Sequence, residues 1–327
     1  MLFPAYRVYL AFSAATALAG AAFGTLSGLY RVQTAGLDPL QLVLIGTALE
    51  MTVFLFEVPT GIVADLYSRK LSVLIGFALI GAGFALEGAV PVFTVMLLAQ
   101  IVWGLGYTFT SGAIDAWLSD EIGGEAANRA FLRATQVQQL AGFAGIGLSV
   151  ALGSIYLGLP MIVGGGIYLV SAAGLIFTMP ERGFRPHPEA AREPFSAMHK
   201  ILGAGLKLVR RTPVILTIFV ITALLGASSE TFDRLSEAHF LQDIGLPEVL
   251  SPALWFGLIA AASSLLAVLV TEVVRRRVDT NAHIAVARAL FGINVLLTLS
   301  VLGFGLAGNF TLALAFYGSA VLLRVTA

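Results

Sequence analysis

The chain has 327 residues, of which 58% are hydrophobic and only 12% are charged, and its formal net charge is zero. Soluble domains carry about 25% charged residues, so this composition, with a mean hydropathy of +0.91, excludes an ordinary soluble protein. The zero net charge argues against a nucleic-acid partner. Cysteine is absent, which excludes disulfides and thiolate metal sites, and we expect no metal and no cofactor.

Apolar runs long enough to cross a bilayer, about 20 residues each, recur along the chain with short breaks. The first run has only Arg7 ahead of it and no small-residue cleavage site, so we interpret it as a membrane helix and not as a signal peptide. The chain is therefore predicted to be an all-α polytopic membrane protein. Ten helices are predicted, over roughly 5–30, 40–61, 71–90, 93–118, 129–153, 160–179, 213–240, 251–272, 281–303 and 308–325.

Basic residues lie almost entirely in alternate loops, whereas the opposite loops offer only Arg31. Because cytosolic loops carry the excess of Lys and Arg, both termini are predicted in the cytosol. The basic positions on that side are Arg69, Lys70, Arg129, Arg133, Arg182, Arg185, Arg192, Lys200, Lys207, Arg210, Arg211, Arg275, Arg276 and Arg277.

Segment 181–212 is predicted to be a cytosolic linker between a six-helix half, 1–180, and a second half, 213–327. Four prolines between Pro180 and Pro194 oppose regular helix. Apolar residues then recur at helical spacing from Phe195 to Val209, which predicts an amphipathic helix on the membrane surface. A merely solvated linker is the alternative.

Two short matches indicate that the halves are repeats. Gln33–Leu37 follows predicted helix 1, and Gln242–Leu246 follows predicted helix 7 with the same Gln-x-x-Gly-Leu pattern. A second match comes at nearly the same offset, with an acid followed by two bases at the same junction of both halves. Internal repeats of this kind are typical of secondary transporters. The paired positions are Asp65, Arg69 and Lys70 in the first half and Glu272, Arg276 and Arg277 in the second.

Gly61, Asp65, Arg69 and Lys70 together resemble the loop between the second and third helices of major facilitator superfamily transporters. The resemblance extends over the whole chain and implies two pseudo-symmetric helical bundles around a cavity that opens to alternate sides. It also implies a protein that is monomeric when full length, is surrounded by lipid in a bacterial plasma membrane and carries a small molecule. The second half holds four helices instead of six, so we expect a fragment of a twelve-helix protein, or a chain that pairs with another polypeptide.

The resemblance also assigns roles near the cytosolic face. Asp120 resembles the partner of the motif arginine, so we expect Asp65, Arg69, Asp120 and Arg129 to form a charge network that stabilises the outward-facing state. Asp115, about one turn deeper, either joins this network or faces the cavity. The weaker copy at Glu272, Arg276 and Arg277 is assigned to gating as well.

Acids inside the predicted spans are candidate proton or substrate groups, because charge in a membrane is costly. Glu50, near the middle of predicted helix 2, is interpreted either as a protonatable group facing the cavity or as a neutral acid bonded to a neighbouring helix. Glu57 lies further along the same helix, just before Pro59. It is either a gate at the cytosolic end or a structural hydrogen-bond partner.

Predicted helix 7 carries Glu230, Asp233, Arg234 and Glu237 toward its outer end. Glu230 and Arg234 share a face, and Asp233 and Glu237 share an adjacent one. This cluster is either an outer gate or substrate and proton site, or a wetted helix end near the headgroups. The uncharged candidates for the cavity are Gln100 and Asn294.

The predicted activity is secondary transport, with proton-coupled efflux of a lipophilic compound as the first hypothesis. Uptake of a small metabolite by proton symport and a non-transporting receptor or scaffold are the alternatives. Gln100 stands where drug–proton antiporters of the family usually carry an arginine, which weakens the antiport hypothesis. An enzyme is not expected, since Ser111 and Ser119 have no intramembrane histidine to activate them.

Overall fold

The computed structural model of the chain describes residues 3–185, 203, 205, 207–277 and 283–326, and no strand occurs among them. The helices are α1 (Phe3–Gln33), α2 (Pro39–Leu66), α3 (Arg69–Ala89), α4 (Phe93–Thr110), α5 (Ala113–Ile122), α6 (Gly124–Gly153), α7 (Leu159–Thr178), α8 (Pro213–Ala238), a π-helical turn (His239–Ile244), α9 (Pro252–Arg277), α10 (His283–Gly305) and α11 (Phe310–Thr326).

The predicted all-α membrane fold is confirmed. Each of the ten predicted spans falls on a described helix, and within the described ranges eight helical segments are long and apolar enough to cross a membrane. Glutamines at 136, 138 and 139 lower the hydropathy of α6, which is not among the eight, and α11 is a shorter apolar helix. Most of the predicted amphipathic helix at 195–209 lies outside the described residues.

Predicted helix 4 is divided into α4 and α5 by a left-handed glycine. The backbone N–H of Ser111 makes the last hydrogen bond of α4, to the Tyr107 carbonyl, and Gly112 then has a φ of 69°. Glycine adopts this conformation without the steric cost that a Cβ imposes. The helix restarts as α5 at Ala113, and α5 carries Asp120, which pairs with Arg69 at the start of α3.

The two repeat matches differ in the structure. Gly36 and Gly245 occupy the same position of the Gln-x-x-Gly-Leu pattern, and both have positive φ, of 65° and 78°. The second match differs, because Ser68 caps α3 just before Arg69, whereas Arg276 and Arg277 are the last residues of α9. The chain thus turns before the two bases in the first half and continues as helix through them in the second.

Contacts divide the chain into two compact units, Met1–Thr231 and Phe232–Ala327. In the first unit α3 packs against α4 and α7, and α1 packs against α6. A Cβ on Gly76 would lie 2.7 Å from the Gly106 carbonyl, and a Cβ on Gly106 would lie 2.7 Å from the Gly76 carbonyl, so both residues must be glycine for this approach. The predicted division at 181–212 remains a prediction.

Glycines at small-residue spacing in predicted helices 1 and 5, namely Gly20, Gly24, Gly28, Gly142 and Gly145, predict close helix contacts, and the structure shows such a contact for only some of them. Gly145 lies directly against the Leu18 carbonyl of α1, as expected, but Gly20, Gly24 and Gly142 have open space where a Cβ would stand. Helical spacing alone does not say which face of a helix meets a neighbour, so it did not distinguish these glycines.

The second unit is built around stacked aromatic rings. Phe232 of α8 stacks on Tyr317 of α11 with ring centroids 5.5 Å apart. Phe240 contacts Phe304 at 5.1 Å and Tyr317 at 5.5 Å. Aromatic pairs in these geometries add to the stabilisation that burial provides, and here they hold α8, α10 and α11 together.

Candidate functional site

A carboxylate after α7 binds the turn between α2 and α3. The Ser68 hydroxyl donates to Oε2 of Glu181 at 2.7 Å, and the backbone N–H of Lys70 donates to Oε1 at 2.9 Å. The same Ser68 oxygen accepts the N–H of Leu71 and caps α3. The Lys70 ammonium donates to the Ile176 carbonyl at 2.7 Å. Three hydrogen bonds therefore hold the α2–α3 turn to the end of α7 and to the residues just after it.

Arg69 forms an ion pair with Asp120 at the end of α5, at 2.8 Å. The two side chains are 19% and 31% exposed, and the guanidinium also lies over the Phe184 ring at 5.9 Å. The structure thus brings together Arg69 and Asp120 of the predicted network. Asp65 is exposed on α2 and makes no ion pair within the described part of the chain, and Arg129 pairs with Glu125 on its own helix.

α5 also holds the segment that follows α7. The buried Trp117 ring donates its Nε1–H to the Pro180 carbonyl at 2.5 Å. Oε1 of Glu121 accepts the backbone N–H groups of Arg182 and Gly183. These contacts were not predicted. Glu181 could have been identified from the sequence, because it is an acid immediately after Pro180 on the same predicted side of the membrane as the motif.

A buried ion pair joins α1, α3 and α4 at the other end of the first unit. Nε and Nη2 of Arg31 lie 2.8 and 2.7 Å from Oε1 of Glu87, and the Gln100 amide donates to Oε2 at 2.6 Å. The Arg31 and Glu87 side chains are 5% and 1% exposed. Both carboxylate oxygens are therefore satisfied, as a buried charge requires.

This arrangement corrects one prediction and shows one omission. Arg31 was predicted to lie in a loop, but it belongs to the last turn of α1, because the helix continues to Gln33. Glu87 was not singled out, although an acid inside a predicted span carried the same signal as Glu50. Gln100 was a cavity candidate, and it instead lies fully buried against Glu87.

The second unit contains a more open ion pair within its helices. Nη1 and Nη2 of Arg324 bind Oδ1 and Oδ2 of Asp233 at 2.5 and 2.8 Å, in the parallel geometry that suits guanidinium and carboxylate. The side chains are 28% and 51% exposed, and Arg324 lies over the Phe232 ring at 5.8 Å. This pair links α8 to α11.

The pair also corrects the predicted depths of its members. Asp233 is predicted in the outer part of helix 7, whereas Arg324 is the next-to-last residue of predicted helix 10 (308–325), which ends on the cytosolic side if both termini are in the cytosol. Because their atoms are in contact, the two residues lie at the same depth. Further along the helix, His239 pairs with Asp243 at 2.7 Å through Nδ1, and Nε2 lies 3.1 Å from the Phe304 carbonyl.

The other candidates of the first unit lie on exposed surfaces. Glu50 and Glu57 are on the exposed side of α2, and Asp115 is exposed in the first turn of α5. Gly61 has open space where a Cβ would stand, so close packing does not explain this motif position. Glu50, Glu57 and Asp115 are not members of the three ion pairs described for this unit, which join Arg31 to Glu87, Arg69 to Asp120 and Arg129 to Glu125.

The remaining candidates lie on α8, α9 and α10. Glu230, Arg234 and Glu272 are partly exposed, whereas the side chains of Arg276 and Arg277 lie outside the described residues. Asn294 donates its amide to the Leu290 carbonyl at 2.8 Å, while its Oδ1 is buried without a hydrogen bond among the described residues. No group of three or more His, Asp or Glu in the described ranges could hold a metal ion.

Comparison with known proteins gives one family. The family model described as Major Facilitator Superfamily matches residues 9–327. An uncharacterized MFS-type transporter of Bacillus subtilis (strain 168), YxaM, is 27% identical over 246 residues, which are 74% of this chain and 60% of the relative. The chain thus spans less than two thirds of the length of that relative.

Solved transporters share the fold at low sequence identity. A mutant of the nucleoside transporter NupG superposes with a TM-score of 0.72 at 14% identity, over 98% of this chain and 80% of the other. A structure from work on substrate recognition in proton-dependent oligopeptide transporters has a TM-score of 0.66 at 13% identity, over 100% and 82%. A bacterial homologue of the human lysosomal transporter Spinster also has a TM-score of 0.66, at 13% identity over 99% and 71%.

Proposed function

The chain belongs to the Major Facilitator Superfamily, and on that basis we propose that it is a proton-coupled secondary transporter that moves a small molecule by alternating access. The observation that carries the proposal is the ion pair between Asp233 and Arg324. Its carboxylate is half exposed, at 51%, although it lies on a helix that is apolar enough to span a membrane.

An ion pair of this kind links proton binding to substrate binding. A proton on Asp233 removes the charge that attracts Arg324, and a charged group of a substrate competes for either partner. Binding of a proton, binding of a substrate and formation of the ion pair are therefore partly mutually exclusive. A ligand can drive a conformational change only if it binds the two conformations with different affinities. A partly exposed ion pair, which a proton or a substrate can reach, provides such a difference in affinity.

The first candidate activity is export of a lipophilic compound in exchange for protons. Exposed aromatic rings support this activity, because Phe54 and Phe56 lie on α2 between the acids Glu50 and Glu57. A surface that combines rings with carboxylates suits an apolar compound that carries a positive charge.

Uptake of a polar metabolite by proton symport is the second candidate. The pair of Asp233 and Arg324 offers both charges to a polar solute, and two of the fold relatives are a nucleoside transporter and a proton-dependent oligopeptide transporter. For either activity we propose a monomer in the bacterial plasma membrane with both termini in the cytosol. A non-transporting receptor or scaffold is the outcome if no compound moves.

The test uses the full chain in proteoliposomes, with a panel of labelled lipophilic cations, nucleosides and peptides. We expect flux of at least one compound that rises when a pH gradient is imposed, and the sign of the effective gradient distinguishes antiport from symport. Asp233→Asn should remove the response to the gradient. Asp243→Asn, which changes another acid of the same unit, should keep it. Flux that is unchanged in Asp233→Asn would contradict the role of the pair.

A further inference from the structure

We propose that a groove between α1 and α7 binds one anionic phospholipid, with the lipid phosphate at Arg7 and an acyl chain along the two helices. The groove has a volume of about 450 Å³, which falls within the range of roughly 300–1,000 Å³ typical of sites for small molecules. It lies entirely in the first unit, and the proposal is independent of the transported substrate.

The groove follows one face of each helix. On α1 its wall consists of Val8, Ala11, Phe12 and Ala15, and on α7 it consists of Ser171, Gly174, Leu175 and Thr178. Both sets have the spacing i, i+3, i+4, i+7, so each forms a stripe about 10 Å long. The small residues Ala11, Ala15 and Gly174 leave the space open, and a Cβ on Gly174 would meet nothing within 4 Å.

The charge of the groove is at one end. Arg7 lies in the second turn of α1 and is exposed, and Thr178 is the last residue of α7, so both are at helix ends where headgroups are found. The Ser171 and Thr178 hydroxyls donate to carbonyls of their own helix, at 2.7 and 2.9 Å. Their oxygens therefore remain as acceptors, and Arg7 is the cationic group of the lining.

This distribution of charge matches a phospholipid. A positive group at the membrane surface attracts anionic headgroups, and the apolar stripes continue from it toward the hydrocarbon. A transported solute would need polar partners along the length of the groove, but the deeper wall offers only the Ser171 oxygen beside Ala11, Phe12 and Ala15. A neutral lipid would fill the same stripes without using the charge of Arg7.

The test measures lipid retention by native mass spectrometry of the full chain, with phosphatidylglycerol and phosphatidylcholine as the probes. We expect one phosphatidylglycerol to be retained in preference to phosphatidylcholine. Arg7→Gln should weaken phosphatidylglycerol binding about fivefold, since one basic group near an anionic surface contributes roughly that factor. Arg7→Lys should retain most of the affinity, and Arg133→Gln, at another exposed arginine, should match the wild type.

Filling the groove is the second arm of the test. Gly174→Leu and Ala11→Leu each place a side chain in the open space and should abolish retention of both lipids at this site. Gly166→Leu is the matched control, because Gly166 lies on the same helix with open space around it but does not line the groove. Equal melting temperatures show that the variants are folded.

Three results would overturn the proposal. The first is equal retention of phosphatidylglycerol and phosphatidylcholine by the wild type. The second is unchanged retention in both Arg7→Gln and Gly174→Leu. The third is loss of transport without loss of lipid in Gly174→Leu, which would assign the groove to the solute.

Discussion

Two arginine–carboxylate pairs within the membrane helices differ in the exposure of their side chains. The pair of Arg31 and Glu87 is 5% and 1% exposed and is completed by Gln100. The pair of Arg324 and Asp233 is 28% and 51% exposed. The buried pair has no route to water or solute without unpacking α1 from α3, so we assign it a structural role in the packing of the first unit. Because the second pair is more exposed, we propose that it is the one that exchanges its partner and takes part in coupling.

Removing one member of the buried pair should have the largest effect. Glu87→Ala leaves Arg31 buried and uncompensated, and we expect a loss of about 3–5 kcal/mol in the free energy of unfolding, the usual cost of breaking a buried pair. Thermal and denaturant unfolding in detergent measure this loss.

The double variant Arg31→Met with Glu87→Leu is the control for that prediction. Replacement of both charges by apolar side chains of similar volume is often neutral or stabilising, so stability should largely return and transport should persist. A double variant that folds well but no longer transports would show that the buried pair takes part in transport. The two pairs would then not differ in function as proposed.

For the pair of Arg324 and Asp233 we expect a small effect on stability and a large effect on transport. Arg324→Gln should cost about 1 kcal/mol or less in stability, because exposed ion pairs contribute little, but should lower gradient-driven flux about tenfold or more, which corresponds to about 1.4 kcal/mol of lost coupling. Flux in proteoliposomes and unfolding in detergent are measured on the same preparation.

A charge exchange sharpens this prediction. Asp233→Arg with Arg324→Asp restores an ion pair but moves the carboxylate to α11. If position 233 must hold the proton, flux stays low although the pair is present. Full recovery of flux would show that only the attraction between α8 and α11 matters.

The pair of Arg69 and Asp120 is intermediate in exposure, at 19% and 31%. Asp120→Asn should therefore cost about 1 kcal/mol in stability, at the upper end for surface pairs, because both side chains are partly buried. Chemical denaturation gives the value. A cost as large as that of Glu87→Ala would show that exposure does not rank the pairs.

The smallest effect is expected for Arg129→Gln. Its pair with Glu125 is 68% and 90% exposed and lies one helical turn apart, a geometry that contributes about 0.3–0.5 kcal/mol. The melting temperature should be nearly unchanged. A clear fall in gradient-driven flux would indicate that Arg129 does belong to the gating network that the sequence predicts.

The sequence predicted the fold more fully than the site. Apolar runs placed ten helices within a few residues, because burial in lipid is encoded by consecutive side chains. It did not show the break at Gly112, since a single glycine inside an apolar run does not specify its φ. The match between Gly36 and Gly245 was visible as a pattern, and the positive φ of both residues gives the physical reason for it.

The sites depended on contacts between distant residues. Arg69 with Asp120 could be expected because the resemblance to the family supplied the partner. Glu181 could have been noticed beside Pro180, but its bonds to Ser68 and Lys70 require the end of α7 to lie beside the α2–α3 turn. The lining of the groove likewise depends on which faces of α1 and α7 meet.

The sequence by itself determined that this chain is a helical membrane protein with the motif loop of a transporter family, because composition and short motifs are local properties. Only the tertiary structure decided which charges are paired and which are open. Arg31 and Glu87 are 56 residues apart, and Asp233 and Arg324 are 91 apart. Their partners are set by the packing of helices, which no local pattern of residues specifies.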